Sequence, residues 1–153
     1  MTLVEFLHKS YIRDTQKDEK VVLKRVNICN VKKRLRKIIN EKKACSGRAV
    51  YLSTKSLKHI NDRHLFDKNV PEDLSLILNN LIVIIKYPDR LYSDLPEKRG
   101  DFLFVKEINK RIYWCSVEIW TVDKIDTIEI VSASLTGEKY LKKFTLLWSW
   151  GNG

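Results

Sequence analysis

The sequence predicts an α+β fold in which helices precede a curved four-stranded antiparallel sheet, with a basic helical extension at the N-terminus. Apolar residues recur with helical spacing between residues 55 and 80, and they alternate with a two-residue period from Asp101 to Ser134. Lysine and arginine are concentrated before residue 50. We therefore expect residues 1–48 to form the extension and residues 49–153 to form the α+β domain.

The charge of the chain is distributed unevenly. Residues 1–50 contain 14 of the 29 Lys and Arg residues but only five of the 19 Asp and Glu residues, and so carry +9 of the net charge of +10. This asymmetry favours a polyanionic partner that contacts the first third of the chain. The alternative is that the lysines only keep the protein soluble.

Composition excludes several classes of protein. The 44% content of hydrophobic residues suits a packed globular protein. The longest apolar run, Leu81 to Ile85, is too short to span a membrane, and the first residues lack the pattern of a signal peptide. The three cysteines are odd in number and lack CxxC spacing, which argues against a disulfide framework or a zinc site. We expect a cytoplasmic protein without a metal or cofactor.

The extension contains three predicted elements. Residues Thr2–Ile12 suit a short amphipathic helix, whereas Val21–Val26 suits a strand or the start of a helix. Val31–Lys43 predicts a basic amphipathic helix that could lie on nucleic acid, lie on an anionic membrane or pack on the domain. We favour a helix that grips RNA or a protein partner, with Arg34 and Arg36 among its RNA contacts.

A second helix carries two of the three histidines. A short strand, Ala49–Leu52, leads into Ser53 and Thr54, which are suitable N-cap residues for a helix over residues 55–66. Helical spacing divides the side chains into two stripes. One stripe comprises Lys55, His59 and Arg63, and the opposite stripe comprises Leu57, Ile60 and His64.

A third helix and a strand are predicted next. Pro71 and the acidic residues after it are typical of a helix start, and the apolar spacing extends this helix to about Asn80. Leu81–Tyr87 is rich in Ile and Val and precedes Pro88-Asp89, which predicts a buried strand. Leu57 and Ile60 of the second helix would cover the sheet together with apolar residues of the third helix.

The rest of the domain is predicted to be a meander of strands. Asp101–Ile108, Arg111–Trp120 and Ile125–Ser134 alternate in polarity, and Asn109-Lys110 suits a tight reversal. Strands with short links pair as neighbours, so the segment beginning at Leu81 would complete a sheet of four. Trp148 and Trp150 could stack on bases, but the apolar residues just before them favour closure of the core.

The histidine helix has the residue types needed to cleave RNA by attack of its 2'-hydroxyl. That reaction needs a base, an acid and a cation for the phosphate, and histidines and an arginine supply them without a metal. His64 lies on the apolar stripe and is the histidine more suited to the core. A Lys, His and Arg stripe is also typical of a solvated helix face, and a histidine among Leu and Ile of a hydrogen-bonded core residue.

Several motifs, taken in order, resemble a known family. They are Lys58-His59-Ile60-x-x-Arg63-His64, Tyr87-Pro88-Asp89 and the late segment Ile130-Val131-Ser132-Ala133-Ser134-Leu135-Thr136-Gly137. Residues of about 49–145 resemble the phage and mobile-element branch of the barnase, EndoU, colicin and RelE-like ribonucleases. The resemblance implies an α+β fold, metal-independent RNA cleavage and a toxin-like role. It also implies a cognate antitoxin or immunity protein as a partner.

The resemblance assigns roles to particular residues. His59 would be the general base or acid, Arg63 the cation for the phosphate, and His64 the second proton carrier or a brace for the helix. Ser132 and Ser134 would share a strand face with Ile128 and Ile130 and hold the phosphate with their hydroxyls. Thr136 follows as a third hydroxyl of the catalytic set; alternatively, Thr136-Gly137-Glu138 is the cap of a last short helix, with Glu138 in its first turn.

Further cations are predicted to contact the RNA backbone. They are Lys55, Lys58, Lys98, Arg99, Lys106 and Arg111, besides Arg34 and Arg36 in the extension. The predicted substrate is RNA, whether tRNA, mRNA or rRNA. The alternative is a non-catalytic RNA- or protein-binding module of the same fold. An inhibitor of a basic nuclease is disfavoured because such inhibitors are usually acidic.

Overall fold

The structure, a computed structural model, describes residues 25–66, 71–95 and 100–150, and it describes the side chains there except those of 63–66 and 71–74. The helix predicted for Thr2–Ile12 lies outside the described residues. The sequence left Val21–Val26 open between a strand and the start of a helix. Its described residues, Arg25 and Val26, begin a strand that spans Arg25–Asn30.

Within the described residues, seven strands form one sheet, so the prediction of a four-stranded sheet is wrong. The strands are β1 (Arg25–Asn30), β2 (Ala49–Ser53), β3 (Arg90–Ser93), β4 (Phe102–Ile108), β5 (Arg111–Val122), β6 (Ile125–Thr136) and β7 (Thr145–Ser149). Their spatial order is β1-β2-β6-β5-β4-β3-β7. Neighbouring strands are antiparallel except β2 and β6, which are parallel. The predicted β4–β5–β6 meander is confirmed.

Two tight turns link the strands of this meander. Asn109 and Lys110 have φ angles of 50° and 66°, and Asp123 and Lys124 have φ angles of 52° and 66°. Positive φ at both central residues is the geometry of the hairpin turn whose twist matches that of the strands. The predicted reversal at Asn109-Lys110 is therefore confirmed.

The helices of the described residues are α1 (Lys33–Lys42), α2 (Thr54–Phe66), α3 (Pro71–Lys86) and α4 (Glu138–Leu141). The helices predicted around residues 31–43 and 55–66 are confirmed. The strand predicted for Leu81–Tyr87 is wrong, because α3 continues through this segment to Lys86.

Burial explains why α3 does not end at Asn80. Its fully buried residues follow a helical period across the predicted boundary, while Val83 between them is 37% exposed. Because Ile and Val have high strand propensity, the run resembled a strand, but propensity is a weak prior that packing overrides. The buried residues of this face are Ile77, Leu78, Leu81, Ile84 and Ile85.

The main core lies between one face of the sheet and helices α1, α2 and α3. Phe102 and Phe104 of β4 pack there with apolar side chains from all three helices. A smaller cluster occupies the opposite face, which we call the outer face, where Tyr92, Leu103 and Trp114 pack with Leu141 of α4. The sheet therefore carries apolar layers on both faces.

From Arg25 onward, the extension predicted for residues 1–48 is part of the same sheet and the same main core. Strand β1 pairs with β2, and Leu35 and Ile39 of α1 are buried in the main core. The apolar stripe of the basic helix thus packs on the protein, and its Lys and Arg residues lie around that stripe. In the described ranges, no helix is long and apolar enough to cross a membrane.

Candidate active site

Helix α2 presents His59 at the surface. The Ser56 amide donates to the Ser53 hydroxyl (3.1 Å), so Ser53 caps the helix as the sequence predicted. Leu57 and Ile60 are buried in the main core, whereas His59 is exposed. The division into an apolar and a polar stripe is therefore confirmed for these side chains. The backbone of Arg63 and His64 continues α2, but their side chains lie outside the described part.

The first turn of α2 is fixed to strand β6. The Ser56 hydroxyl donates a short hydrogen bond to the carbonyl of Ile130. Strand β2 pairs with β6 only at Val50–Ile128 and Tyr51–Glu129. Beyond this pairing, from Ile130 onward, α2 lies beside β6. His59 follows Ser56 by three residues, which places it about 4.5 Å further along the helix axis.

Glu129 of β6 is the only charged residue among the described side chains that is buried. It lies between Ile128 and Ile130, which face the main core, and therefore faces the outer side of the sheet. Arg25 of β1 donates to both of its oxygens, from Nη2 to Oε2 (2.8 Å) and from Nε to Oε1 (2.5 Å). Arg25 and Glu129 thus form a bidentate ion pair on the outer face.

Arg25 is held from two sides. Its guanidinium lies 3.6 Å from the centre of the Tyr51 ring, and its Nη2 also donates to the Thr127 hydroxyl (3.1 Å). The hydrogen bond to Glu129 raises the pKa of Arg25, so it is charged at any relevant pH. The outer face thus carries an oriented guanidinium that contacts β6. Arg25 also pairs with Ser53, the residue immediately before α2.

The serines predicted to hold the phosphate lie on the outer face, not on the face of Ile128 and Ile130 as the sequence predicted. The register of β5 and β6 shifts here, because Ser116 pairs with Ser132 while Val117 pairs with Ile130. Val131 is the extra residue of a β-bulge, which reverses the alternation beyond it. Ser132 and Ser134 are therefore buried away from the face that α2 covers.

Two hydroxyls of the outer face have no hydrogen-bond partner among the described residues. Ser116 Oγ and Ser132 Oγ are buried, and neither has a partner within the part of the chain that the structure describes. Such groups are rare because an unsatisfied buried hydroxyl is costly. Thr136 lies at the end of β6 and donates to the Gly137 carbonyl (3.3 Å), and Gly137 takes the N-cap position of α4. The predicted cap of this last helix at Thr136-Gly137-Glu138 is therefore confirmed, with Gly137 as the N-cap residue and Glu138 in the first turn.

The predicted RNA-binding cations are divided among several surfaces. Lys55 and Lys58 are exposed on α2, and Arg111 is exposed at the start of β5. Arg34 and Lys106, distant in sequence, line one cavity. Arg36, also predicted to contact RNA, donates to the Cys45 carbonyl (3.3 Å). The predicted RNA contacts Lys98 and Arg99 lie outside the described residues.

Sequence reasoning missed the pair formed by Arg25 and Glu129. Glu129 gave no clear signal, because its place between Ile128 and Ile130 fits the ordinary alternation of a strand with one polar face. Its partner could not be inferred, because the two residues are 104 positions apart. In the described ranges, no three His, Cys, Asp or Glu side chains are grouped so that they could hold a metal ion.

A comparison with protein families shows to which family the chain belongs. The model of the phage-Barnase-EndoU-ColicinE5/D-RelE like nuclease 3 family matches residues 29–133. The chain belongs to this phage nuclease family. The resemblance drawn from the sequence motifs is thereby confirmed, and with it a nuclease function in general. No curated protein and no solved structure matches the chain.

The matched residues extend from β1 into β6. They include α1, which the sequence motifs had left outside the resemblance. His59, Glu129 and Ser132 lie inside the matched residues, whereas Arg25, Ser134 and Thr136 lie outside them. As a phage nuclease of this family, the protein has a nucleic acid as its substrate.

Proposed function

We propose that this phage nuclease is a metal-independent endoribonuclease that cleaves RNA through attack by its own 2'-hydroxyl. The supporting observation is the junction of α2 and β6. There the Ser56–Ile130 hydrogen bond fixes the helix that carries the exposed His59 to strand β6, which carries Ser132 and Ser134. Catalytic groups on two rigid elements can be kept in a fixed relation to a substrate.

In the proposed reaction, His59 exchanges a proton with the RNA. Either it is the base that takes the proton of the 2'-hydroxyl, whose oxygen bonds to phosphorus as the bond to the 5'-oxygen breaks, or it is the acid that protonates the departing 5'-oxygen. The products are a 2',3'-cyclic phosphate and a 5'-hydroxyl. Arg63 stabilises the phosphate charge, and His64 is the second proton carrier or a brace for the helix. Ser132, Ser134 and Thr136 complete the proposed set of catalytic residues as phosphate-binding hydroxyls.

The reaction itself provides the first test. The purified chain is incubated in EDTA with an RNA oligonucleotide and with the same oligonucleotide carrying one 2'-deoxyribose at the cleaved position. We expect cleavage of the first and at least 100-fold slower cleavage of the second at that position, because the nucleophile is missing. Mass spectrometry should find the cyclic phosphate. Equal cleavage of both substrates, or a requirement for a divalent metal, would contradict the mechanism.

Ser132 tests the proposed phosphate-binding hydroxyls. A Ser132→Ala substitution removes an unpartnered buried hydroxyl, so we expect the free energy of unfolding to rise by about 1–2 kcal/mol and RNA cleavage to slow. Urea denaturation and initial cleavage rates measure the two effects. Ser116→Ala is the matched control, since it removes the opposite unpartnered hydroxyl and should stabilise without slowing cleavage. Unchanged cleavage by Ser132→Ala would reject a phosphate contact.

We also propose that the nuclease acts as a toxin on cellular RNA and is controlled by a cognate antitoxin or immunity protein. The support for this is the toxin-like role implied by the motif resemblance. Expression in bacteria should arrest growth, and the arrest should depend on the same residues as cleavage in vitro. Arrest by a variant without cleavage activity would contradict the role.

A non-catalytic RNA-binding module is the second candidate. The cavity that brings Arg34 and Lys106 together favours it, because His59 is not among the lining residues of that cavity. RNA binding by the wild-type chain without any cleavage would select this candidate.

A further inference from the structure

A cavity of about 470 Å³ opens at a distance from the α2–β6 junction. It lies between the start of α1, the segment that links α3 to β3, strand β4 and the residues at the end of β7. Its volume is within the range of roughly 300–1,000 Å³ that is typical of ligand pockets. Neither the proposed catalytic residues nor the Arg25–Glu129 pair line it.

The lining is strongly cationic. Among the described lining residues, the cations are Lys32, Arg34, Lys86 and Lys106, and the only carboxylate is that of Asp89. Asp89 is already engaged, because it accepts a hydrogen bond from the Glu107 amide (2.8 Å) and lies 3.5 Å from Lys106 Nζ. Positive charge therefore remains in excess, which favours an anionic ligand.

Exposed aromatic rings accompany these cations. The side chain of Tyr87 is 50% exposed and that of Trp150 is 72% exposed, although both line the cavity. The Trp150 amide donates to the Asp89 carbonyl (2.7 Å), which holds the Trp150 backbone at the cavity. Lys32 Nζ lies 4.2 Å from the centre of the Tyr87 ring, so cation and ring are adjacent.

We propose that this cavity binds an unpaired nucleotide of an RNA strand, with its base on Trp150 and its phosphate near Arg34 and Lys86. Exposed rings beside cations are the means by which proteins hold single-stranded nucleic acid, because every base can stack and every phosphate is negative. An acidic protein would use the cations and leave the rings without a partner. That the ligand is a nucleic acid rests on the family, and that it is RNA rests on the proposed function.

The test measures binding separately from cleavage. A fluorescent 12-nucleotide RNA in which every ribose is 2'-O-methylated cannot be cleaved by its 2'-oxygen, and its anisotropy reports binding to the full chain. We expect Trp150→Ala and Arg34→Ala each to weaken binding about tenfold, the size typical of one lost stack or charged contact. Trp150→Phe should bind within about threefold of wild type because phenylalanine also stacks.

Two controls make the result specific. Lys37→Ala removes an exposed cation of the same helix outside the cavity and should weaken binding less than Arg34→Ala. Polyglutamate of matched charge should compete far less well than unlabelled RNA. Wild-type affinity in both Trp150→Ala and Arg34→Ala, or equally strong competition by polyglutamate, would overturn the proposal. Absence of cleavage with cavity-dependent binding would instead overturn only the proposed function.

Discussion

A His59→Ala substitution is expected to slow RNA cleavage by about 100- to 10,000-fold, the usual contribution of a general acid or base. His59 is exposed on α2, so its replacement should leave the buried contacts of Leu57 and Ile60 intact. The loss should therefore appear in the rate at saturating RNA, while the variant still unfolds in a cooperative transition. Single-turnover cleavage in EDTA and thermal unfolding measure the two quantities.

Asp62→Asn is the matched control for this substitution. Asp62 is exposed on the same helix, and it has no part in the proposed chemistry. We expect its cleavage rate to remain within about threefold of wild type, as for a typical surface substitution. If His59→Ala cleaves RNA as fast as Asp62→Asn does, the proton-transfer role of His59 is rejected. The chemistry would then have to be sought on the outer face, around Glu129.

A Val83→Pro substitution is expected to lower the free energy of unfolding by about 3 kcal/mol or more. Val83 lies inside α3, and its carbonyl accepts a hydrogen bond from the Tyr87 amide (2.8 Å). Proline at this position would remove a helical amide and clash with the preceding turn. Urea denaturation followed by circular dichroism measures the loss.

The Val83→Ala variant separates the backbone effect from the loss of the side chain. Because Val83 is 37% exposed and alanine favours helices, we expect a change of less than about 1 kcal/mol. A proline variant as stable as this alanine variant would show that residues 81–87 are not helical in solution.

The correct predictions from the sequence were those that depend on local signals. The N-cap at Ser53 and the spacing of Leu57 and Ile60 defined α2, and the Asn109-Lys110 turn defined the β4–β5 hairpin. Each of these features depends only on residues that are close together in the sequence. Local backbone preference and periodicity are sufficient to predict them.

The wrong predictions concern segments whose structure depends on distant contacts. Leu81–Tyr87 has strand propensity, but α3 continues there because its apolar face packs in the main core. Strands β3 and β7 are too short for a clear alternation and exist because they pair with each other, as β3 also does with β4. The bulge at Val131 is an exception, because β6 carries a local signal that the prediction overlooked: its apolar residues change from even positions (Ile128, Ile130) to odd positions (Val131, Ala133, Leu135).

The same distinction applies to the candidate site. The histidine helix, its exposed His59 and the resemblance to a nuclease family could be read from the sequence, because motif order and helical spacing are properties of neighbouring residues. Tertiary structure alone decided that Arg25 reaches Glu129 and that Arg34 and Lys106 share a cavity. These relations join residues far apart in the chain, and strand pairing and core packing bring such residues together.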